Sequence, residues 1–219
     1  MATIVITGAN RGIGLELCHQ FADRGDDVIA VCRQSVRELE QPGITVIDGM
    51  DVGDDTVVEQ LAARLAGQKI DILVNNAGVL TTETLDDLDF ARMRNQYEVN
   101  ALGPLRVTKA LLGNLHEDSK LLILTSRVGS VGDNASGGNY GYRMSKAAAN
   151  MAGMNLAIEL RDHGIAVGIL HPGLVATNMT GGNGISTEES AAGLIQRIDE
   201  LNLENTGTFW HANGEILPW

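Results

Sequence analysis

Tyr142 and Lys146 stand four residues apart in the run Tyr142-Arg143-Met144-Ser145-Lys146, and on a helix positions four apart share a face. That spacing can bring a phenol and an ammonium into one site. A free phenol, with a pKa of roughly 10, shuttles protons poorly near neutrality. A cation about 4 Å away, at an effective dielectric of about 20, contributes roughly 4 kcal/mol toward the phenolate, an upper bound of about three pKa units. The pattern therefore predicts a tyrosine tuned to act as a general acid/base by its neighbouring lysine. Tyr140 lies nearby, but only Tyr142 has a lysine four residues on.

A site of this kind needs elements to hold it, and the first stands at the start of the chain. Thr3 to Thr7 form a β-branched apolar run that reads as a buried strand. It leads into Gly8-Ala9-Asn10-Arg11-Gly12-Ile13-Gly14 and then into Leu15, Leu17, Cys18 and Phe21 at helical spacing. A strand, a glycine-rich turn and a helix N-terminus together cradle a pyrophosphate, because backbone can approach closely and free N–H groups face the anion. The spacing is Gly-x-x-x-Gly-x-Gly, and no Gly-Lys-Ser/Thr follows, which argues against a nucleoside-triphosphate loop. The second strand, Val28 to Arg33, ends without the acid that would hold a ribose 2′-hydroxyl. Arg33 and Arg11 instead offer two planar forks for a phosphate, so NADP (NADPH) is expected in preference to NAD.

With 219 residues, 44% hydrophobic and 20% charged, the chain suits one α/β domain spanning 1–219. A net charge of −12 disfavours nucleic acid and anionic membrane surfaces as partners. The apolar runs are too short for a membrane span, and a first strand at Thr3 leaves no space for a signal peptide. Two cysteines, Cys18 and Cys32, on a predicted helix and strand, suit a cytoplasmic protein with free thiols. The five histidines show no metal-ligand spacing, so no metal is expected.

Strand and helix patterns alternate along the whole chain. Strands are predicted at Ile44–Asp48, Ile70–Asn75, Leu121–Ser126, Ala166–His171 and Thr208–Trp210. Helices are predicted around Val57–Leu65, as one long stretch from Phe90 to Leu115, at Tyr140–Leu160 and near Glu188–Leu201. This alternation implies a Rossmann-type, doubly wound, mainly parallel seven-stranded sheet with helices on both faces. Ligands bind such sheets beyond the carboxyl ends of the strands. The remaining polar motifs gather there: Asn75-Asn76-Ala77-Gly78, Thr125-Ser126, and His171-Pro172-Gly173-Leu174-Val175-Ala176-Thr177. Asn100 lies inside the long predicted helix, where a kink or a water-holding role would account for it.

Taken in order, these segments resemble the short-chain dehydrogenase/reductase family along essentially the whole chain, with a narrower similarity to the C-factor subgroup and sniffer-type carbonyl reductases. The resemblance rests on Thr7–Gly14, Asp51-Val52, Asn75–Gly78, Asn100, Ser126, Tyr142-x-x-x-Lys146 and Pro172-Gly173 with Thr177. It implies that Asn100, Ser126, Tyr142 and Lys146 form a catalytic tetrad. It also implies that Gly8, Asn10, Arg11, Gly12, Ile13, Gly14, Arg33, Asp51, Val52, Asn76, Ala77, Gly78, Tyr142, Lys146, Pro172, Gly173, Val175 and Thr177 contact the coenzyme. Asp51 would take the adenine amino group and Asn100 would fix a water. The interval Arg127–Gly141 is longer than the family norm, which leaves Thr125 and Ser130 beside Ser126 as candidate hydroxyls. The short segment Asn178–Ser186 implies an open pocket.

The expected activity is hydride transfer between the nicotinamide and an aldehyde, a ketone or the corresponding alcohol. A cofactor-binding sensor or signalling protein is the alternative, which an intact tetrad disfavours. The helix from Tyr140 is small or apolar on nearly every face, so it is either buried within its own domain or packed against another subunit; the family resemblance implies the latter, as a homodimer or homotetramer.

Overall fold

A computed structural model describes all residues, Met1–Trp219. Seven strands form one sheet: β1 (Thr3–Thr7), β2 (Asp27–Val31), β3 (Ile44–Ile47), β4 (Ile70–Asn75), β5 (Leu115–Leu124), β6 (Ala166–His171) and β7 (Phe209–His211). Their order is β3-β2-β1-β4-β5-β6-β7, and every pairing is parallel. The reversal of strand order beside β1 opens the crevice where such folds bind ligands.

The side-chain period of two sorts each strand into two cores. Ile4, Ile6, Leu122 and Leu124 face one layer with Leu17, Cys18 and Phe21 of α1 (Gly12–Asp23) and Leu194 and Ile198 of α6 (Thr187–Glu200). Val5, Leu73, Leu121 and Ile123 face the other. There they meet Leu61 of α2 (Val57–Arg64), Val107 and Leu111 of α4 (Gly103–Leu111), and Ala149, Ala157 and Leu160 of α5 (Tyr140–Leu160). Burying each large apolar side chain contributes about 1.5–3 kcal/mol, so strands covered on both faces hold the carboxyl edge rigid. No helix is long and apolar enough to cross a membrane.

Two expectations differ from the structure. The long helix predicted from Phe90 to Leu115 is three pieces: α3 (Phe90–Tyr97), a π-helical turn at Glu98–Leu102, and α4. Pro104 at the start of α4 has no N–H to donate, and the Gly103 N–H bonds back to the Glu98 carbonyl five residues earlier. Arg106 covers the same turn. Its guanidinium donates to the Glu98 carbonyl at 3.1 Å, to the Glu98 carboxylate at 2.6 Å and to the Val52 carbonyl at 3.5 Å. Strand β5, predicted from Leu121, begins at Leu115. Its polar stretch His116–Lys120 hides it from an apolar-run search, and the register shifts where Asp118 adopts a φ of 74°. The Ser119 hydroxyl, fully buried, secures this bulge by donating to the Ile70 carbonyl at 2.8 Å.

Candidate functional site

The carboxyl ends of β1, β4, β5 and β6 and the first turns of α5 meet at one crevice. Lys146 is 4% exposed, and its Nζ donates to the Leu124 carbonyl at 2.9 Å. The same Nζ lies 5.7 Å from the Tyr142 ring centroid, a cation–π distance. Burial holds the Lys146 pKa down at about 8. The same burial pushes the Tyr142 phenol up to about 12, and a hydrogen bond with the Ser126 hydroxyl pulls only partly the other way. The direction is opposite to the expected lowering, and desolvation is its largest cause.

Ser126, 8% exposed, follows β5 and also accepts from the Val128 N–H at 3.4 Å. The two other candidate hydroxyls are committed elsewhere. Thr125 donates to the Lys146 carbonyl at 3.3 Å, and Ser130 accepts from the Asp133 N–H at 3.1 Å. Gly129 allows the turn after Ser126 to lie directly on α5, because a Cβ there would stand 2.7 Å from the Lys146 carbonyl carbon. Tyr140 is 37% exposed, at the entrance of α5.

Asn100 sits in the π-helical turn. Its side chain accepts from the Val79 N–H at 2.8 Å, donates to the Val79 carbonyl at 2.8 Å and donates to Ser145 Oγ at 3.0 Å. Ser145 in turn donates to the Tyr142 carbonyl at 2.8 Å. These bonds tie the strand-β4 loop to the helix bearing Tyr142 and Lys146. Gly78 lies over the pair, its Cβ direction 3.4 Å from Asn100 Oδ1 and 3.7 Å from Lys146 Nζ.

At the other end of the crevice, α1 begins with Arg11 in extended conformation, with no side-chain cap and no acid in its first turn. Its leading N–H groups are therefore free of side-chain partners and suit an anion. The Asn76 amide donates to the Thr7 carbonyl at 2.8 Å and the Gly8 carbonyl at 3.2 Å, so it holds the glycine turn in shape. Gly14 makes this possible, since a Cβ there would collide with both Asn76 and Gly8. Thr7 Oγ1 receives the Asn76 and Ala77 N–H groups, each at 3.1 Å. Asn75 is 2% exposed with an unpartnered amide, in a narrow slot lined also by Thr7, Val52, Ala77 and Val99.

Asn10 donates to the Gln34 carbonyl at 2.9 Å, joining the glycine turn to the end of β2. Arg33 reaches to 3.9 Å from the half-exposed Asp51, and Arg11 is exposed, so both cations face solvent at this edge. Asp51 also accepts from the Gly53 N–H at 2.9 Å. Beyond β6, Thr177 reaches the glycine turn, 3.4 Å from the Cβ direction of Gly12. Pro172 is tied by its carbonyl to the Ser190 hydroxyl at 2.8 Å, and Val175 pairs with Ile185. Sequence reasoning missed Ser145, Arg106, Glu83 and the Leu124 carbonyl. Only Ser145, inside the Tyr142–Lys146 run, carried a positional signal.

The sequence profile of the family described as short chain dehydrogenase matches residues 2–187. The chain is 46% identical, over the full length of both, to 1-hydroxy-2-glutathionyl-2-methyl-3-butene dehydrogenase of Rhodococcus sp. (strain AD45). It is 43% identical to the C-signal protein of Myxococcus xanthus, over 68% of this chain and 93% of that one. Among solved structures, the NADPH-bound carbonyl reductase from chicken fatty liver superposes with a TM-score of 0.92 at 27% identity, covering 100% and 99% of the two chains. The protein belongs to the short-chain dehydrogenase/reductase family and is an oxidoreductase of that family.

The Tyr142–Lys146 pair makes stability depend on pH with a defined sign. Lys146 titrates at about 8 in the folded protein and at its ordinary 10.5 when exposed. Between those values the unfolded chain binds more protons, so stability rises with pH across that window and is flat below it. Tyr142 opposes this above its ordinary 10.0, where the unfolded phenol ionises first and stability falls. In urea unfolding, the wild type should gain about 2 kcal/mol relative to Lys146→Met between about pH 7.5 and 9.5, at about 1.36 kcal/mol per pKa unit. Equal pH dependence in the two proteins would contradict the assignment.

Proposed function

We propose that the protein, as one domain over 1–219, binds NADPH and reduces an aldehyde or ketone, with Tyr142 as the general acid. The observation that carries this reading is the cluster of half-buried Tyr142 with buried Lys146 and Ser126 at the carboxyl edge of the sheet. A phenol pushed up to about 12 is protonated at neutral pH, which suits donation to an oxygen that is gaining negative charge. Ser126 would hydrogen-bond that oxygen and stabilise its charge. Lys146, fixed on the Leu124 carbonyl, would hold the coenzyme ribose and feed a proton back to Tyr142. Asn100 keeps the loop and α5 in register.

A nicotinamide coenzyme supplies or accepts the hydride. Gly8, Asn10, Gly12, Ile13 and Gly14 would form its pyrophosphate turn, with the α1 N-terminus facing the anion. Asp51, Val52, Asn76, Ala77 and Gly78 would line the coenzyme, with Asp51 taking the adenine amino group. Pro172, Gly173, Val175 and Thr177 would close over the nicotinamide end. Arg11 and Arg33 favour NADP over NAD, and the NADPH-bound relative supports that choice. Because the Rhodococcus relative is named for a glutathionyl alcohol, the substrate panel should include thioether alcohols of that kind. Cytoplasmic residence fits the two buried free thiols, Cys18 and Cys32.

A homodimer or homotetramer is part of the same reading. Met144, Met151 and Ile158 are 59%, 63% and 63% exposed at seven-residue spacing on α5. Leu105 and Leu112 repeat that spacing beside α4 on the same face of the sheet. Two apolar stripes of heptad period can pack against their own copies.

Tyr142→Phe should abolish turnover of carbonyl substrates, followed by NADPH absorbance, while NADPH affinity stays within about twofold, since the phenol acts on the reacting oxygen. Comparable turnover by the mutant would overturn the assignment. In coenzyme titrations, Arg33→Ala should weaken NADPH about tenfold and leave NADH nearly unchanged, because only the former offers a phosphate to the guanidinium. Sedimentation at micromolar concentration should show an oligomer that Met151→Glu converts to monomer. A monomeric wild type would refute the assembly.

A further inference from the structure

Helix α5 carries Tyr142 in its first turn but has no cap of its own. Asn139, which precedes the helix, is left-handed at φ 47° and makes no side-chain cap, and the first turn holds no acid. A helix N-terminus left in that state frays, because its leading N–H groups lack partners. The missing acceptor arrives from 58 residues upstream. Glu83, in the loop after β4, is 2% exposed, and its Oε2 accepts the Gly141 N–H at 3.2 Å. Its backbone carbonyl accepts the Asn139 N–H at 2.9 Å.

The other carboxylate oxygen is held just as firmly. Oε1 accepts from the Thr81 hydroxyl at 2.6 Å and from Gln96 Nε2 at 2.9 Å. Gln96 is fully buried on α3 and returns its own oxygen to the Thr81 N–H at 3.0 Å. A buried carboxylate is costly unless it is hydrogen-bonded on both oxygens, and three donors surround this one. It also places negative charge at the positive end of α5.

We infer that Glu83 is a positioning residue: it caps α5 in trans and thereby fixes Tyr142, the residue following Gly141, against Ser126 and Lys146. An amide cannot replace it. Glutamine offers one acceptor oxygen, so either Gly141 or the Thr81–Gln96 pair would face a donor with a donor. This inference rests on the acid/base reading of Tyr142 for its catalytic consequence, but the capping itself does not.

The test compares wild type with Glu83→Gln by hydrogen exchange and by steady-state kinetics. Exchange at residues 139–145 should quicken about tenfold while the central strands stay protected, as expected of a local opening. In the same variant kcat should fall by about tenfold or more with NADPH affinity within about twofold, since small displacements of a reacting group act on kcat. Unchanged exchange together with kcat within twofold would overturn the inference. If Glu83→Gln does not fold, Glu83→Asp, which keeps the charge and withdraws it by one methylene, is read against the same two outcomes. A wild type that turns over no carbonyl substrate would defeat the acid/base reading, and exchange alone would then decide the capping.

Discussion

A buried amine set beside a half-buried phenol is the constraint that organises this molecule. Lys146 gives up water and receives one fixed acceptor, the Leu124 carbonyl at the end of β5. That exchange is tolerable only where the strand end and α5 are held at one separation. The turn after Ser126 lies on the α5 backbone, and Thr125 donates to the Lys146 carbonyl. Both hydroxyls at the end of β5 are thus referred to the same helix. Desolvation lifts the phenol and lowers the amine, so the amine is the readier of the two to release a proton and the phenol the readier to keep one.

A second set of bonds refers the coenzyme half of the crevice to the catalytic half. Thr7 and Asn76 fasten the end of β4 to the glycine turn after β1. The same loop runs on to Val79, which Asn100 holds by both its N–H and its carbonyl. Arg106 closes the circuit by bonding Val52, after β3, and Glu98 in the π-helical turn. A π-helical turn is costly relative to regular helix and recurs at functional sites. Here it is the segment through which the slot under Asp51-Val52 and the Tyr142 helix share side-chain partners.

The parts of the fold with strong periodicity were legible in the sequence. The apolar runs of β1, β4 and β6 and the full extent of α5 match their predicted positions, because burial on both sheet faces imposes continuous apolar strands. The site motifs fell at the carboxyl edge for the same reason. What sequence reasoning misplaced depends on distant partners. The start of β5 is polar, and its pairing is fixed by Ile70 and Gly164. A kink at Asn100 was one reading of the sequence, but the π-helical turn and the Arg106 bonds across it were not visible in the spacing. Asn76 and Asn100 were identified as site residues, but their bonds to Thr7, Gly8 and Val79 could not be read from spacing. The direction of the Tyr142 shift was misjudged because a Coulomb estimate from helix spacing omits burial, which only packing reveals.

Ultraviolet difference titration of the tyrosines in wild type and Tyr142→Phe tests this account of the Tyr142–Lys146 pair most directly. The account predicts that the phenol absent from the mutant ionises near 12 in the folded protein, well above the ordinary 10.0. A Tyr142 phenol ionising at or below that ordinary value would contradict it and restore the lysine's charge as the dominant influence.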